Sequence, residues 1–286
     1  MRNSYFDRYL KQNLRTCQLK QLSILEETDR ICRKHNIPYW LDGGSLLGAM
    51  RHGGFIPWDD DMDIGMLRPD YERFLEVARA ELEPEYELVE PRTNDRLAGM
   101  FAKVWKRGTA FETEETRDAG IAQGIFVDVF PYDRLSADEA TAQRQRAQCR
   151  KWQSVSYLYH SSHINVPHTG ALGFAEKAAC AVAHHVIKLV WSHDSIVRRF
   201  ETAAALGSDN PGPLYFCPAC PAAQGFPESI FLPTKEMPFE NAMLPVPGNV
   251  EELLVLQYGD TWNELPPVDQ RKNHAPLRID FGSEGE

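Results

Sequence analysis

Between residues 39 and 67 the chain reads YWLDGGSLLGAMRHGGFIPWDDDMDIGML, and no other stretch limits its possible folds as tightly. An apolar run breaks at Gly43, Gly44 and Ser45, and a short helical pattern follows. A second glycine pair then leads through Pro57 and Trp58 into an aspartate run that ends by alternating with Met62 and Ile64. Strand side chains alternate between faces, so Asp61 and Asp63 share one face while Met62 and Ile64 turn to the core. The apolar flank makes a fully solvated acidic turn a poor fit. Two carboxylates roughly 7 Å apart, at ~3.3 Å rise per residue, can converge on a hard cation. Mg2+ or Mn2+ suits such a pair, since Mg2+ takes few carboxylates and leaves places for water and phosphate.

A third carboxylate stands far along the chain. GIFVDVF at 124–130 is rich in β-branched and aromatic residues and predicts a strand. On it Asp128 shares a face with Phe126 and Phe130. A carboxylate among such neighbours needs a metal or hydrogen bonds to offset its desolvation; the plainer reading is an Asp capping a turn at Pro131. Gly43, Gly44 and Ser45 precede the predicted helix 45–50, where glycines admit a close ligand and helix-start amides favour phosphate. Alone, such a turn is often only a turn. Arg51 suits bidentate phosphate contact, and His52 either bonds substrate or packs. Lys103, between Phe101 and Trp105 on the predicted strand 100–106, wants an anionic partner, unless it snorkels to the surface. Trp58 either stacks on a base or sugar or packs in the core.

The rest of the chain gives a frame. Residues 5–35 predict one amphipathic helix, stopped by Pro38 and serving packing rather than chemistry. Strands are expected at 39–42, 61–67 and 86–90, with a loop over 51–57 and a helix from Pro69 to about 82. Helical patterns cover 136–160 and about 171–205. Residues 209–247, dense in Pro and Gly, read as loops, and a short helix follows near 250–257. The segment ALGFAEKAACAVAHHVIKLVW is interrupted by Glu176, Lys177, His184, His185 and Lys188. It predicts a buried or amphipathic helix, with shallow membrane attachment as the second reading, rather than a span of about 20 apolar residues.

Composition excludes some partners. A formal net charge of -10 is a poor footprint for nucleic acid but leaves room for a small phosphate ligand at a local basic cluster. The N-terminal MRNSYFDRYLKQNLRT lacks a secretory apolar stretch, so the six cysteines read as reduced thiols in a cytoplasmic protein. Cys217 and Cys220, in CPAC, read as free thiols in a Pro-rich turn rather than half of a zinc site.

Gly-Gly-Ser, then Asp-x-Asp on a strand, then a lone Asp on another resembles the polymerase-β-type nucleotidyltransferase superfamily. More narrowly, LDGGSLLGAMRHGGFIPWDDDMDIGM and GIFVDVFPYD are similar to blocks of the LicD family, which includes the fukutin-related proteins. FENAMLPVP at 239–247, LVLQYGDTW at 254–262, Pro266-Pro267 and His274 extend the likeness. The resemblance implies an α/β (α+β) fold, a mixed sheet flanked by helices with an added helical region. Residues 1–135 would be the catalytic core, 136–226 an acceptor-side helical insertion, and 227–286 a segment packing back on the core.

It also implies metal-dependent transfer of a phospho-alcohol, phosphocholine-like or a polyol phosphate, from a CDP-activated donor. The acceptor would be a hydroxyl of a cell-surface glycan or its polyprenyl-linked precursor. Asp61, Asp63 and Asp128 match the family's metal-binding catalytic carboxylates, and Gly44 and Ser45, with Gly43 beside them, its phosphate-contacting turn. Asp59, Arg51 and Lys103 match recurring positions, and His52 joins them as a substrate-side candidate. The expected setting is the cytoplasm, with peripheral contact at the inner membrane face and no transmembrane helix. The rival readings are NMP transfer from an NTP, an Asp-x-Asp glycosyltransferase, and a non-catalytic module holding a cation or nucleotide.

Overall fold

The computed structural model describes residues 8, 9, 11–162, 168, 170–220 and 224–282; the expected start of the first helix, at 5–7, lies outside them. Helix α1, Leu14–His35, buries a stripe that includes Leu14, Cys17, Ile24 and Ile31. It ends at His35 as expected, three residues before Pro38. Asn36 adopts the left-handed conformation (φ 51°), and its N–H caps the carbonyls of Cys32 and Arg33. Two glutamines interrupt the stripe for a reason. Gln18 donates to the carbonyl of Asp59 (2.9 Å) and Gln21 to that of Asp60 (2.8 Å), so α1 clamps the aspartate loop from behind.

Strand β1, Trp40–Leu41, leads into α2, Gly43–His52, and β2, Asp63–Leu67, leads into α3, Arg68–Glu81, which opens with Pro69 in its first turn. Strands β3 (Tyr86–Val89), β4 (Ala102–Lys106) and β5 (Ala110–Glu112) follow, then the short α4 (Glu114–Ala119) behind a Thr113/Thr116 capping box. Strand β6, Phe126–Ser136, runs 11 residues and passes through Pro131, where a turn was the alternative. Helices α5 (Glu139–His160), α6 (Gly170–Val190) and α7 (His193–Ala204) form the expected helical middle.

The stretch expected to be loops is not. Its Pro-Gly composition hides β7 (Pro211–Phe216), β8 (Phe226–Pro227), α8 (Glu228–Phe231) and the hairpin β9 (Lys235–Phe239)–β10 (Ala242–Val246). Helix α9, Val250–Tyr258, and β11, Arg278–Asp280, which pairs with β5, complete the chain.

The main sheet has the order β1-β2-β6-β4-β3, and β7 and β8 continue it along the far half of β6. Strands β2 and β6 are parallel while the other pairs are antiparallel, so this is a mixed sheet flanked by helices. Its core holds Trp40, Met62, Ile64, Val127 and Val129 without exposure. Trp40 sits opposite Gly65, where a β-carbon would lie 2.5 Å from the indole nitrogen, so only glycine admits that ring. Among the described residues no helix is long and apolar enough to cross a membrane.

Candidate active site at the start of β2 and β6

Parallel pairing of β2 and β6 puts Asp63 directly opposite Asp128. The Asp128 N–H donates to the carbonyl of Met62 at 2.8 Å, extending the ladder to the residue between Asp61 and Asp63. The aspartate run divides. Asp60 is fully buried and turns toward the C-terminal segment, accepting the N–H groups of His274 (2.8 Å) and Ala275 (3.0 Å) and the His274 ring at 3.1 Å. Asp59, Asp61 and Asp63 turn toward the sheet's carboxylate end and repel one another.

The glycine pair lies inside α2 rather than ahead of it. Asp42 is the N-cap, bonded to Gly43 N–H (2.9 Å) and held by Tyr132 Oη (2.5 Å) and Gln257 Nε2 (3.1 Å). Gly43 has φ +51°, and a β-carbon there would lie 3.1 Å from Asp63 Oδ2. One on Gly44 would lie 2.6 Å from Asp59 Oδ2. Both glycines therefore make room for carboxylates over the first turn of α2. Ser45 accepts the Asp63 N–H on its hydroxyl (2.9 Å), locking helix to strand.

Burial and the neighbouring Asp61 push the Asp59 carboxyl up to about 9. Burial, then Asp61 and Asp128, raise Asp63 far above the carboxylate range. Asp128 is raised less: burial lifts it, but Lys103 Nζ lies 2.6 Å away. The Lys103 ammonium also sits 3.8 Å from the centre of the Phe126 ring. Its anionic partner is thus a carboxylate of the site itself. Among the described residues none forms an ion pair with Asp63.

Arg51 and His52 end up elsewhere. They occupy the last turn of α2 rather than a loop, about 12 Å along the helix from Gly43 at ~1.5 Å per residue. Arg51 donates to the carbonyls of Trp262 (3.3 Å) and Glu264 (3.0 Å), tying down the C-terminal segment. His52 is exposed and meets the half-buried Trp58 edge to face, and Arg271 covers that ring at 4.3 Å.

Two cavities flank the carboxylates. On the Asp128 side a pocket of about 140 Å3, which also contains Lys103, opens into a cleft of about 670 Å3, with Glu115, Tyr157 and His274 lining both. On the Asp63 side a pocket of about 340 Å3 is walled by Asp42, Phe130, Cys217, Cys220 and Phe226. Burial raises the Glu115 carboxyl, with Lys103 and His274 opposing the shift. The CPAC thiols touch at 2.9 Å between sulfurs and are free. Sequence reading missed Asp42, although an Asp immediately before a glycine-led helix is a readable cap, and missed Glu115, which carries no local signal.

A divalent cation fits the donor chemistry here. Asp59, Asp61 and Asp63 gather more negative charge than the single ammonium of Lys103 and the His274 ring, 3.8 Å from Asp61, can balance. Among the described residues no group of three or more His, Cys, Asp or Glu side chains is arranged to hold a metal ion by itself. An open site completed by water and phosphate oxygens is what Mg2+ favours.

A mixed sheet with aspartates on adjacent parallel strands, beside a helix begun by glycines, defines a nucleotidyltransferase-like domain. Residues 36–168 match the family described as LicD/FKTN/FKRP, nucleotidyltransferase domain. The matched segment contains Asp61, Asp63, Lys103 and Asp128. The lipopolysaccharide cholinephosphotransferase LicD of Haemophilus influenzae is 40% identical over 126 residues, covering 43% of this chain and 45% of that protein. The ribitol 5-phosphate transferases FKRP of Mus musculus and Homo sapiens are each 49% identical over 53 residues, 17% of this chain and 11% of theirs. The matches thus span less than half the length of these relatives.

Proposed function

We propose that the protein transfers a phospho-alcohol from a CDP-activated donor to a hydroxyl of a glycan or its lipid-linked precursor, releasing CMP. One observation carries this reading: Asp63 and Asp128 face each other across adjacent strands, yet each lines a different cavity. Donor and acceptor can then approach the same carboxylate centre from opposite sides. The relatives' printed activities, cholinephosphate and ribitol 5-phosphate transfer, support the class of group moved.

Asp61 and Asp63 would hold Mg2+ or Mn2+, which when bound supplies charge neutralisation for a pyrophosphate. The Gly44 and Ser45 amides belong to the first turn of α2, which lacks intrahelical acceptors for its N–H groups, and they seat a donor phosphate. Asp128, steadied by Lys103, accepts the proton of the acceptor hydroxyl as its oxygen bonds to the phosphorus bearing the alcohol. The bond from that phosphorus to the CMP oxygen breaks in line. Positioning and electrostatics supply most of the acceleration.

The test is incubation of purified protein with CDP-choline, CDP-ribitol or CTP and Mg2+, following CMP and pyrophosphate. CMP release that Asp63→Asn abolishes, with folding intact, is the expected result. Pyrophosphate from CTP would point instead to nucleotidyl transfer, and near-normal turnover in Asp63→Asn would remove Asp63 from the metal site.

A further inference from the structure

Helix α6 is amphipathic the wrong way round for a surface helix in water. A surface helix normally turns its apolar stripe to the core and its polar face outward. Here Phe174 is 77% exposed, Val182 64%, Leu189 88% and Val190 62%, and Leu172 and Val186 are more than half exposed. At 100° per residue these positions fan around Val182 into one broad outward face, with the exposed His185 as its one polar side chain. The inner face is held partly by polar groups: the His184 ring meets the carbonyl of Leu158 at 2.8 Å, and Glu176 bonds His168. Lone exposed apolar residues are ordinary on protein surfaces, but a contiguous apolar helix face marks an interaction site.

The charges at its edge select the partner. Lys177 and Lys188 are exposed and lie three turns apart on the same flank, while the helix's one acid, Glu176, is taken by His168. A second copy packed antiparallel about Val182 would set Lys177 of one molecule beside Lys188 of the other, with no free carboxylate on either helix to answer. An anionic lipid surface answers both features at once, taking the apolar face below the headgroups and the lysines among them.

The inner face connects this helix to the chemistry. Cys180 of α6 borders the 670 Å3 cleft that narrows toward Asp128, together with Tyr157 and Leu158 of α5. We propose that α6 lies in the surface of a bilayer carrying anionic lipid and so presents the cleft to an acceptor glycan anchored in that bilayer. The acceptor half of this inference rests on the transferase reading above; the docking half does not.

Flotation with vesicles of phosphatidylethanolamine and phosphatidylglycerol, against vesicles of phosphatidylcholine alone, separates the two halves. The protein should float with the anionic vesicles. Val182→Glu with Leu189→Glu should lower the bound fraction at least about tenfold without changing circular dichroism, because both positions are exposed. Lys177→Gln with Lys188→Gln should weaken binding about 30-fold. Absence of flotation, equal binding to neutral vesicles, or a dimer dispersed by Val182→Glu in equilibrium sedimentation would overturn the docking. Flotation with no CMP release from any CDP-alcohol would leave docking standing and sink the transferase reading instead. Soluble-donor hydrolysis should be the same in the α6 variants as in the parent protein.

Discussion

Lys103 Nζ lies 2.6 Å from Asp128 Oδ1, and both side chains are about nine-tenths buried. The pair joins β4 to β6 at a directly registered position, so each charge is fixed by the backbone as well as by the other. Removing the ammonium alone strands a carboxylate in an apolar, aromatic setting.

Lys103→Met is therefore expected to cost about 3 kcal/mol of stability, the range for breaking a buried pair on one side. Lys103→Met with Asp128→Leu should recover most of that loss while remaining inactive. Urea denaturation of the two single variants and the double variant measures the coupling. A double variant no more stable than Lys103→Met would show that the pair is not what holds Asp128.

Gly44 offers a separation of stability from function. It sits in the first turn of α2, where alanine is a better helix former by up to about 1 kcal/mol. Its β-carbon would, however, meet Asp59 Oδ2 at 2.6 Å, and that side chain must swing away. Gly44→Ala should keep or raise the melting temperature and cut CMP release by about tenfold or more, since an ångström-scale displacement at a site is that costly. Equal activity would mean that Asp59 need not stand over the turn.

The sequence announced this site unevenly. Strand alternation was enough to place Met62 and Ile64 inside and to set Asp128 on the face of Phe126, because period-two patterning is a local property. What it could not show depends on long-range contact. Nothing local distinguishes Asp60 from Asp59 and Asp61, yet Asp60 takes the hydrogen bonds of the C-terminal segment, more than 200 residues on. Arg51 looked close to the glycine turn in sequence, but a regular helix carries it to the opposite end. Strand β7 was hidden by its own composition: Pro211, Gly212 and Pro213 read as loop, and the pairing with β6 outweighs that propensity.

Crowded carboxylates make the site respond to pH and cation together. The folded Asp59 carboxyl stands at about 9 against an ordinary 3.8, so the fold favours its protonated form. Its contribution to stability is full below the unfolded value and is lost as pH rises through the folded one. The cation-free protein should lose melting temperature between pH 5 and 9, and Mg2+ should restore it. Cation binding at pH 7 should release protons, read as a dependence of calorimetric enthalpy on the ionisation enthalpy of the buffer. Asp63→Asn, relieved of one repelling charge, should be more stable than the parent without the cation and should release fewer protons. Cation binding without proton release would place the ion away from Asp59 and Asp63.

Asp60 and His274 should weaken with rising pH as well, here by losing an attraction rather than gaining a repulsion. Asp60 holds two backbone N–H groups and the ring of His274, whose value rises to about 9 chiefly through that hydrogen bond. The folded value lies above the unfolded one, so this contribution is complete below about 6.5 and fades as pH climbs through 9. The ring is 49% exposed, which limits the charged part to about 1 kcal/mol. Asp60→Asn keeps the volume but presents an amide toward N–H donors, and it should cost about 2 kcal/mol at pH 7. His274 lines both the 140 Å3 pocket and the 670 Å3 cleft, so loosening this strap should raise KM for the acceptor more than it lowers kcat. The gap between parent and variant should narrow to about 1 kcal/mol near pH 10, the share of the backbone N–H bonds. Parallel curves across pH 6 to 10 would instead assign the cost to the backbone N–H bonds alone, with the His274 charge contributing nothing.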